Sequence, residues 1–197
     1  MSSFLGMEIN QTSSGIFVNQ RRYAADVLKR FGMDKCKPVN TPLVATQKLS
    51  KEDGAVKVDE SLYRSLIGCL LYLTTTRPDL MSRFMTNPSE NHFRAAKRVL
   101  RYIKGNPGLG VWFRKSESFQ LVGYSDSDWA GSIDDMKSTS GYVFFLNSGA
   151  VCWLSKRQAT IAQSTGKAEY ISTVAIVNQA IWLRKILNVT KLRDSLL

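Results

Sequence analysis

Asp126, Asp128 and Glu169 are the residues of this chain whose types and setting suit chemistry. The run Leu121-Val-Gly-Tyr-Ser-Asp-Ser-Asp-Trp129 starts apolar and breaks into carboxylates, which places Asp126 at the end of a strand, where it can collect a divalent cation instead of filling a core. About forty residues later Lys167-Ala168-Glu169-Tyr170 supplies a second carboxylate near the start of a helical pattern. Hard oxygen ligands of this kind suit Mg²⁺, and Asp126 and Glu169 are the candidate catalytic and metal-ligating pair. Asp128 suits a cap on the Ala130-Gly131 bend, and Asp134 and Asp135 read as turn residues.

The elements that would position these carboxylates are two further strand-like runs, 140–146 and 150–154, with a turn at Asn147-Ser148-Gly149 whose glycine accepts positive φ. A helix then starts near Ser164 and runs to about Leu187, with Ala168, Ile171, Ala175, Trp182 and Ile186 on its buried side. The order is three strands and then a helix bearing Glu169.

Upstream, Phe4-Leu-Gly-Met-Glu-Ile9 reads as one strand run, and Gly15 turns the chain into Ile16-Phe17-Val18. Asn19 is placed to cap a helix that Gly32 ends. The proline-containing stretch from Lys37 to Lys57 reads as a linker or surface arm. Asp59 caps a helix with Leu62, Leu66, Leu70 and Leu73 at helical spacing, and Leu80–Thr86 reads as a short helix after Pro78. Asn87-Pro88 opens another helix, to about Lys104, whose Arg94, Lys97, Arg98, Arg101 and Lys104 recur at three- and four-residue steps. Five cations on one helix repel one another unless an anion such as a phosphate backbone neutralises them, so these five are the candidate nucleic-acid-binding residues; a solvated face is the alternative. Gly108 to Lys115 reads as a strand.

The 197 residues carry a net charge of +11 and are 44% hydrophobic, enough for a core. Residues 1–118 hold 19 Lys and Arg against 10 Asp and Glu, and residues 119–197 hold 8 against 6, so the positive charge is concentrated upstream of the carboxylates. Cys36, Cys69 and Cys152 are scattered without CxxC spacing, which gives no zinc or disulfide framework and points to a reducing, intracellular setting. The single His92 suits a surface or capping role. No apolar run approaches the roughly 18 residues of a membrane span, so no membrane partner is expected.

Gly123-Tyr-Ser-Asp-Ser-Asp-Trp-Ala-Gly131, with Trp153-Leu-Ser-Lys-Arg-Gln158 after it, resembles the ribonuclease H region of copia-type LTR retrotransposon Pol polyproteins. Phe4-Leu-Gly6 is similar to the end of their reverse transcriptase palm, and the helix after it to the start of the thumb; Thr76-Arg-Pro-Asp79 is shared too. The resemblance implies an α+β fold: the end of a reverse transcriptase palm with a thumb-like hairpin and helix at 1–36, a linker at 37–58, a helical connection region at 59–118, and a partial, truncated ribonuclease H-like sheet with one long packed helix at 119–197. It matches Asp126 and Glu169 to the family's first aspartate and its helix glutamate, which cleave RNA in RNA-DNA hybrids with two Mg²⁺ ions about 4 Å apart. The family's Tyr-Val-Asp-Asp polymerase motif is absent, as is its Cys-Asp-Asn-Gln segment and the last carboxylate after it. Lys167 stands where the family has an acidic or small residue, and about two helical turns are missing after Asp79. With two of four ligands, the expectation is weak Mg²⁺ binding and little or no hydrolase activity, with nucleic acid and the missing parts of the polyprotein as partners. The alternative expectation is a basic nucleic-acid-binding or structural remnant without catalysis.

Overall fold

The computed structural model describes residues 3–44, 49–50, 53–80, 88–116, 118 and 120–194, with side chains described as far as 188. The described residues form an α+β arrangement with four α-helices and two sheets. The chain divides into two compact units. The first takes residues 1–119 and the hairpin tip 146–150, and the second takes 120–145 and 151–197.

The first unit opens with β1 (Ser3–Phe4), β2 (Met7–Thr12) and β3 (Gly15–Asn19). The run expected as one strand is two, because Leu5 and Gly6 take φ of 46° and 71° and fold β1 back on β2. β4 (Gly110–Arg114) pairs antiparallel with β3, placing Gly15 opposite Arg114, and completes the order β1–β2–β3–β4. A Cβ at Gly15 would run into the Phe113 carbonyl oxygen, so this close strand approach requires glycine. The outer edge of β4 is satisfied by Ser148 of the hairpin tip, whose hydroxyl accepts from the Arg114 N–H at 2.9 Å and donates to the Trp112 carbonyl at 3.0 Å.

Three helices build the core: α1 (Arg21–Arg30), α2 (Glu60–Leu73) and α3 (Glu90–Gly105). Val27, Leu28, Leu66, Leu70, Leu73, Val99, Leu100 and Ile103 are buried together, while Leu62 of the expected α2 stripe is exposed. The N-cap position of α1 is Gln20, not Asn19, although the Asn19 side chain accepts from the Arg21 N–H at 3.1 Å. Gln20 is itself buried. Its amide donates to the Tyr72 carbonyl and accepts from the hydroxyls of Thr75 and Thr76, tying the start of α1 to the end of α2. At the other end of α1, Gly32 (φ 64°) and Met33 donate to Lys29 and Leu28 carbonyls, the two-bond arrangement that a left-handed glycine permits. Asp59 caps α2 by accepting from the N–H groups of Ser61 and Leu62.

The turn after α2 is tied to the end of α3 by buried Arg77, which pairs with the partly exposed Asp79. Arg77 is 4% exposed; its guanidinium donates to Asp79 through Nε at 2.9 Å and Nη2 at 2.7 Å, reaches the Asn106 carbonyl at 2.9 Å and lies over the Tyr102 ring. Burial works to raise the Asp79 pKa, but the Arg77 hydrogen bonds and charge overcome it and hold the carboxyl below its ordinary value. After a single 3₁₀ turn, Pro78–Leu80, the expected helix to Thr86 lies outside the described residues, as does Asn87. α3 begins at Glu90 behind Ser89. His92, expected at the surface or as a cap, is a buried cap: its Nδ1 accepts from the Ser89 N–H at 3.2 Å. The Ser89 hydroxyl and Asn91 amide donate to Asp53 at 2.6 and 3.1 Å, and the Ser89 bond above all lowers the Asp53 pKa to about 2.

The second unit is the sheet β5 (Leu121–Asp128), β6 (Thr139–Leu146) and β7 (Gly149–Arg157), in that order, and α4 (Thr165–Asp194), which lies on β5. Asn147-Ser148 joins β6 to β7, and it is Asn147, not Gly149, that carries the positive φ, 55°. α4 runs seven residues beyond the expected end at Leu187. Trp182 and Ile186, expected inside, are 55% and 40% exposed, whereas Ala168 and Ser172 are buried.

Two outcomes follow for the first unit. Removing Asp79 leaves the Arg77 charge buried without its partner, so Asp79→Ala is expected to lose on the order of 3 kcal/mol in urea unfolding, and Arg77→Met with Asp79→Leu to lose less than that. Equal losses in the two would show that packing, not charge, decides. Asp53 has a folded pKa near 2, below its ordinary 3.8. Its contribution is therefore fully present above about pH 4 and disappears as the pH falls toward 2. Asp53→Asn should make the urea midpoint fall less steeply over that interval, and an unchanged slope would remove Asp53 from the cap.

Candidate carboxylate site and basic helix

β5 and α4 form the site scaffold. Gly123 makes their approach possible: a Cβ there would stand 2.6 Å from the Phe144 ring and 3.2 Å from Ile176 Cδ1 of α4. Four residues before Ile176, the Ser172 hydroxyl donates to the Asp126 carbonyl at 2.9 Å. Glu169 lies one helical turn before Ser172, so the structure brings the turn of α4 that carries Glu169 to the strand end that carries Asp126. Both carboxylates are exposed, and Asp126 Oδ1 accepts from the Ser127 N–H at 2.8 Å.

The alternation of β5 decides what meets α4. Steps of two from Gly123 put Ser125 and Ser127 on the α4 side and Asp126 on the other, in keeping with a half-buried Ser127 between exposed Asp126 and Asp128. It is thus the Asp126 main chain, rather than its carboxylate, that α4 grips. Asp128 turns onto Gly131, where its carboxylate meets the position a Cβ would take. Asp135 pairs with Arg157 at 3.3 Å and Lys137 at 3.8 Å, and a hydrogen bond from Ser132 leads the causes that lower its pKa. Among the described residues no group of three or more His, Cys, Asp or Glu could hold a metal ion. The residues present therefore do not fit a two-Mg²⁺ centre, which needs shared carboxylates on both ions.

Two residues without a role in the sequence reading position this scaffold. Gln158 is buried and donates through Nε2 to the Ser140 hydroxyl and the Ala168 carbonyl, both at 2.9 Å, fixing the first turn of α4 next to Glu169. Ser172 is the other; it and Thr173 are a pair of hydroxyls in an otherwise apolar stretch, and Thr173 turns back on the Glu169 carbonyl while Ser172 reaches the strand. Trp129, half exposed, donates its indole N–H to the Ala162 carbonyl at 3.0 Å. Ser164 accepts from the Lys167 N–H at 3.2 Å, and Lys167 itself is exposed.

The cation stripe of α3 is divided by its surroundings. Arg98 donates to the Thr41 hydroxyl at 2.9 Å and Arg101 to the Lys37 carbonyl at 2.8 Å, while the Val39 N–H reaches the Arg101 carbonyl, so residues 37–41 lie along the helix and take one bond from each guanidinium group. Arg94 pairs with Glu90 at 3.4 Å on the surface, and Lys97 stacks over the Phe93 ring at 4.3 Å. Lys104 is exposed at the end of the helix. No helix among the described residues is long and apolar enough to cross a membrane.

No family model matches the chain, and no solved structure matches it. Curated proteins do. The retrovirus-related Pol polyprotein from transposon RE1 of Arabidopsis thaliana is 40% identical over 190 residues, which is 93% of this chain and 13% of the polyprotein. That from transposon TNT 1-94 of Nicotiana tabacum is 40% identical over 198 residues, again 93% of this chain and 15% of the polyprotein. An uncharacterized mitochondrial protein of Arabidopsis thaliana is 37% identical over 91% of this chain and 77% of its own length. With the likeness extending over nearly all of its length, the chain belongs to the retrovirus-related Pol polyproteins of copia-type transposons and corresponds to a fragment of them.

Proposed function

We propose that this fragment resembles the junction of reverse transcriptase and ribonuclease H, that its ancestral reaction is Mg²⁺-dependent cleavage of RNA in RNA-DNA hybrids, and that the chain alone is inactive or weakly active. The observation that supports the reading best is the Ser172 bond to Asp126. It fastens a carboxylate-bearing helix to the end of a carboxylate-bearing strand, with the Gln158 clamp beside it. The same geometry supports the loss of activity, since it offers α4 the Asp126 backbone and the described residues include no third ligand. The remaining carboxylates would then come from other parts of the polyprotein, which makes those parts partners of this chain.

In a hybrid cleavage assay with millimolar Mg²⁺ the chain is expected to remain at the blank rate, and calorimetry to show at most one weak site, in the millimolar range, as waters must fill most positions around the ion. Robust cleavage that vanishes in both Asp126→Asn and Glu169→Gln would overturn the inactive reading and establish the site. Cleavage untouched by either change would remove both residues from it.

Nucleic-acid contact, in this reading, is made by the part of the α3 stripe that the 37–41 arm leaves to solvent: Arg94, Lys97 and Lys104. Three such contacts should give a log–log salt slope near −3 on a duplex. Lys97→Glu with Lys104→Glu should lower that slope by about two for all sequences alike, measured by fluorescence anisotropy between low and moderate salt. Arg98→Glu should instead release the arm. A salt-independent affinity would leave α3 as a solvated face.

A further inference from the structure

The arm at residues 37–41 lies on α3 with little to hold it. It is joined to the helix by the bonds from Arg98 to the Thr41 hydroxyl, from Arg101 to the Lys37 carbonyl and from the Val39 N–H to the Arg101 carbonyl. Pro38 seats against Gly105, where a Cβ would stand 3.1 Å from the Pro38 Cβ. Lys37, Pro38, Asn40 and Thr41 remain exposed and Val39 is half-buried, so the arm adds little to the hydrophobic core. Nor does it neutralise the helix. From Lys35 to Val44 there is no Asp or Glu, and Lys35 and Lys37 bring further positive charge toward the cations of α3.

The closed arm also leaves a donor unsatisfied. Arg98 Nε is buried and, among the described residues, has no acceptor, while Nη2 of the same group donates to a neutral hydroxyl. A buried N–H in this state has lost its water without a bond in exchange. A phosphate group supplies what is missing: two of its oxygens, side-on to the guanidinium, take Nε and Nη2 together, and a charged acceptor binds more strongly than a hydroxyl or a carbonyl. Arg101 stands in the same relation to the arm, its Nε bonded to the Lys37 carbonyl. The arm thus holds, with weaker acceptors, places on two guanidinium groups that a phosphodiester would take.

We propose that residues 37–41 are an autoinhibitory strap. Closed, the strap keeps Arg98 and Arg101 out of the nucleic-acid face of α3; opening it adds them to Arg94, Lys97 and Lys104. The inference rests on the nucleic-acid reading of α3 given above and adds its regulation. Only the open fraction of the chain offers the larger face, so the apparent affinity is reduced by that fraction for all sequences alike. Thr41 and Gly105 lie outside the cation stripe, which allows the strap to be loosened without removing a phosphate contact.

The test uses the full chain carrying Thr41→Val, which removes the hydroxyl acceptor, together with Gly105→Leu, which fills the seat of Pro38. Both positions are exposed, so the far-ultraviolet spectrum should be unchanged. Without nucleic acid, hydrogen exchange of the Val39 amide should quicken several-fold in this variant. On a labelled duplex, the log–log salt slope should steepen by about two relative to the wild type, so that the affinity lost between roughly 50 and 200 mM salt grows from about 50-fold to several hundred-fold. Faster exchange with an unchanged slope would overturn the strap and leave the nucleic-acid reading standing. Salt-independent binding in both chains would overturn that reading and the strap with it. Val39 exchange unchanged in the variant would show that these contacts do not hold the arm, and a wild-type slope equal to that of the variant would show that the closed arm withholds nothing; either result overturns the proposal.

Discussion

The second unit depends on the absence of a side chain at residue 123. With a methyl group there, the Phe144 ring would have to move and the tip of the Ile176 side chain of α4 would have to give by a few tenths of an ångström. Across this close approach two directional bonds join α4 to the rest of the unit, from the Ser172 hydroxyl to the Asp126 carbonyl and from Gln158 to the Ala168 carbonyl. The bonds in turn fix the rotation of α4, which decides that Ser172 and Ala168 face the sheet and Tyr170 and Val174 face away.

The first unit solves a different problem, the burial of polar groups among leucines. Arg77 is fully engaged: two bonds to Asp79, one to the Asn106 carbonyl and a ring beneath it, so its desolvation is offset at every donor that is named. Gln20 plays the corresponding part for neutral groups by joining α1 to the turn after α2. These groups bind segments far apart in sequence, and they restrict how the three helices can slide, which leucine contacts alone do not.

Much of this was readable where a local rule has only one outcome. Gly32 ends α1 and Asp59 begins α2 because a left-handed residue and a cap acceptor are requirements of the backbone itself. Where several outcomes satisfy the local rule, reading failed. Leu5 at positive φ is uncommon for a branched side chain, so the break between β1 and β2 carried no glycine–asparagine signal ahead of it. The helical pattern puts Trp182 and Ile186 inside, whereas both are exposed, because an evenly apolar helix does not say which side meets the sheet. The cations of α3 were legible as a stripe, but spacing names a face and not what lies on it, and Lys37 and Thr41 lie there.

For the carboxylates the same distinction carries a consequence for chemistry. Residue type and order identify Asp126 and Glu169 as a strand–helix pair, and the backbone of one is held by the helix of the other. Joint ligation of an ion near 2.1 Å asks more than neighbouring elements: both oxygens must point to one place, and on a strand that is a matter of parity. Gly123, Gln158 and Ser172 serve the packing of β5 and α4 whether or not an ion is held. The strand–helix lock of this chain therefore speaks for stability, whereas joint ligation would ask in addition that both carboxylates face one place.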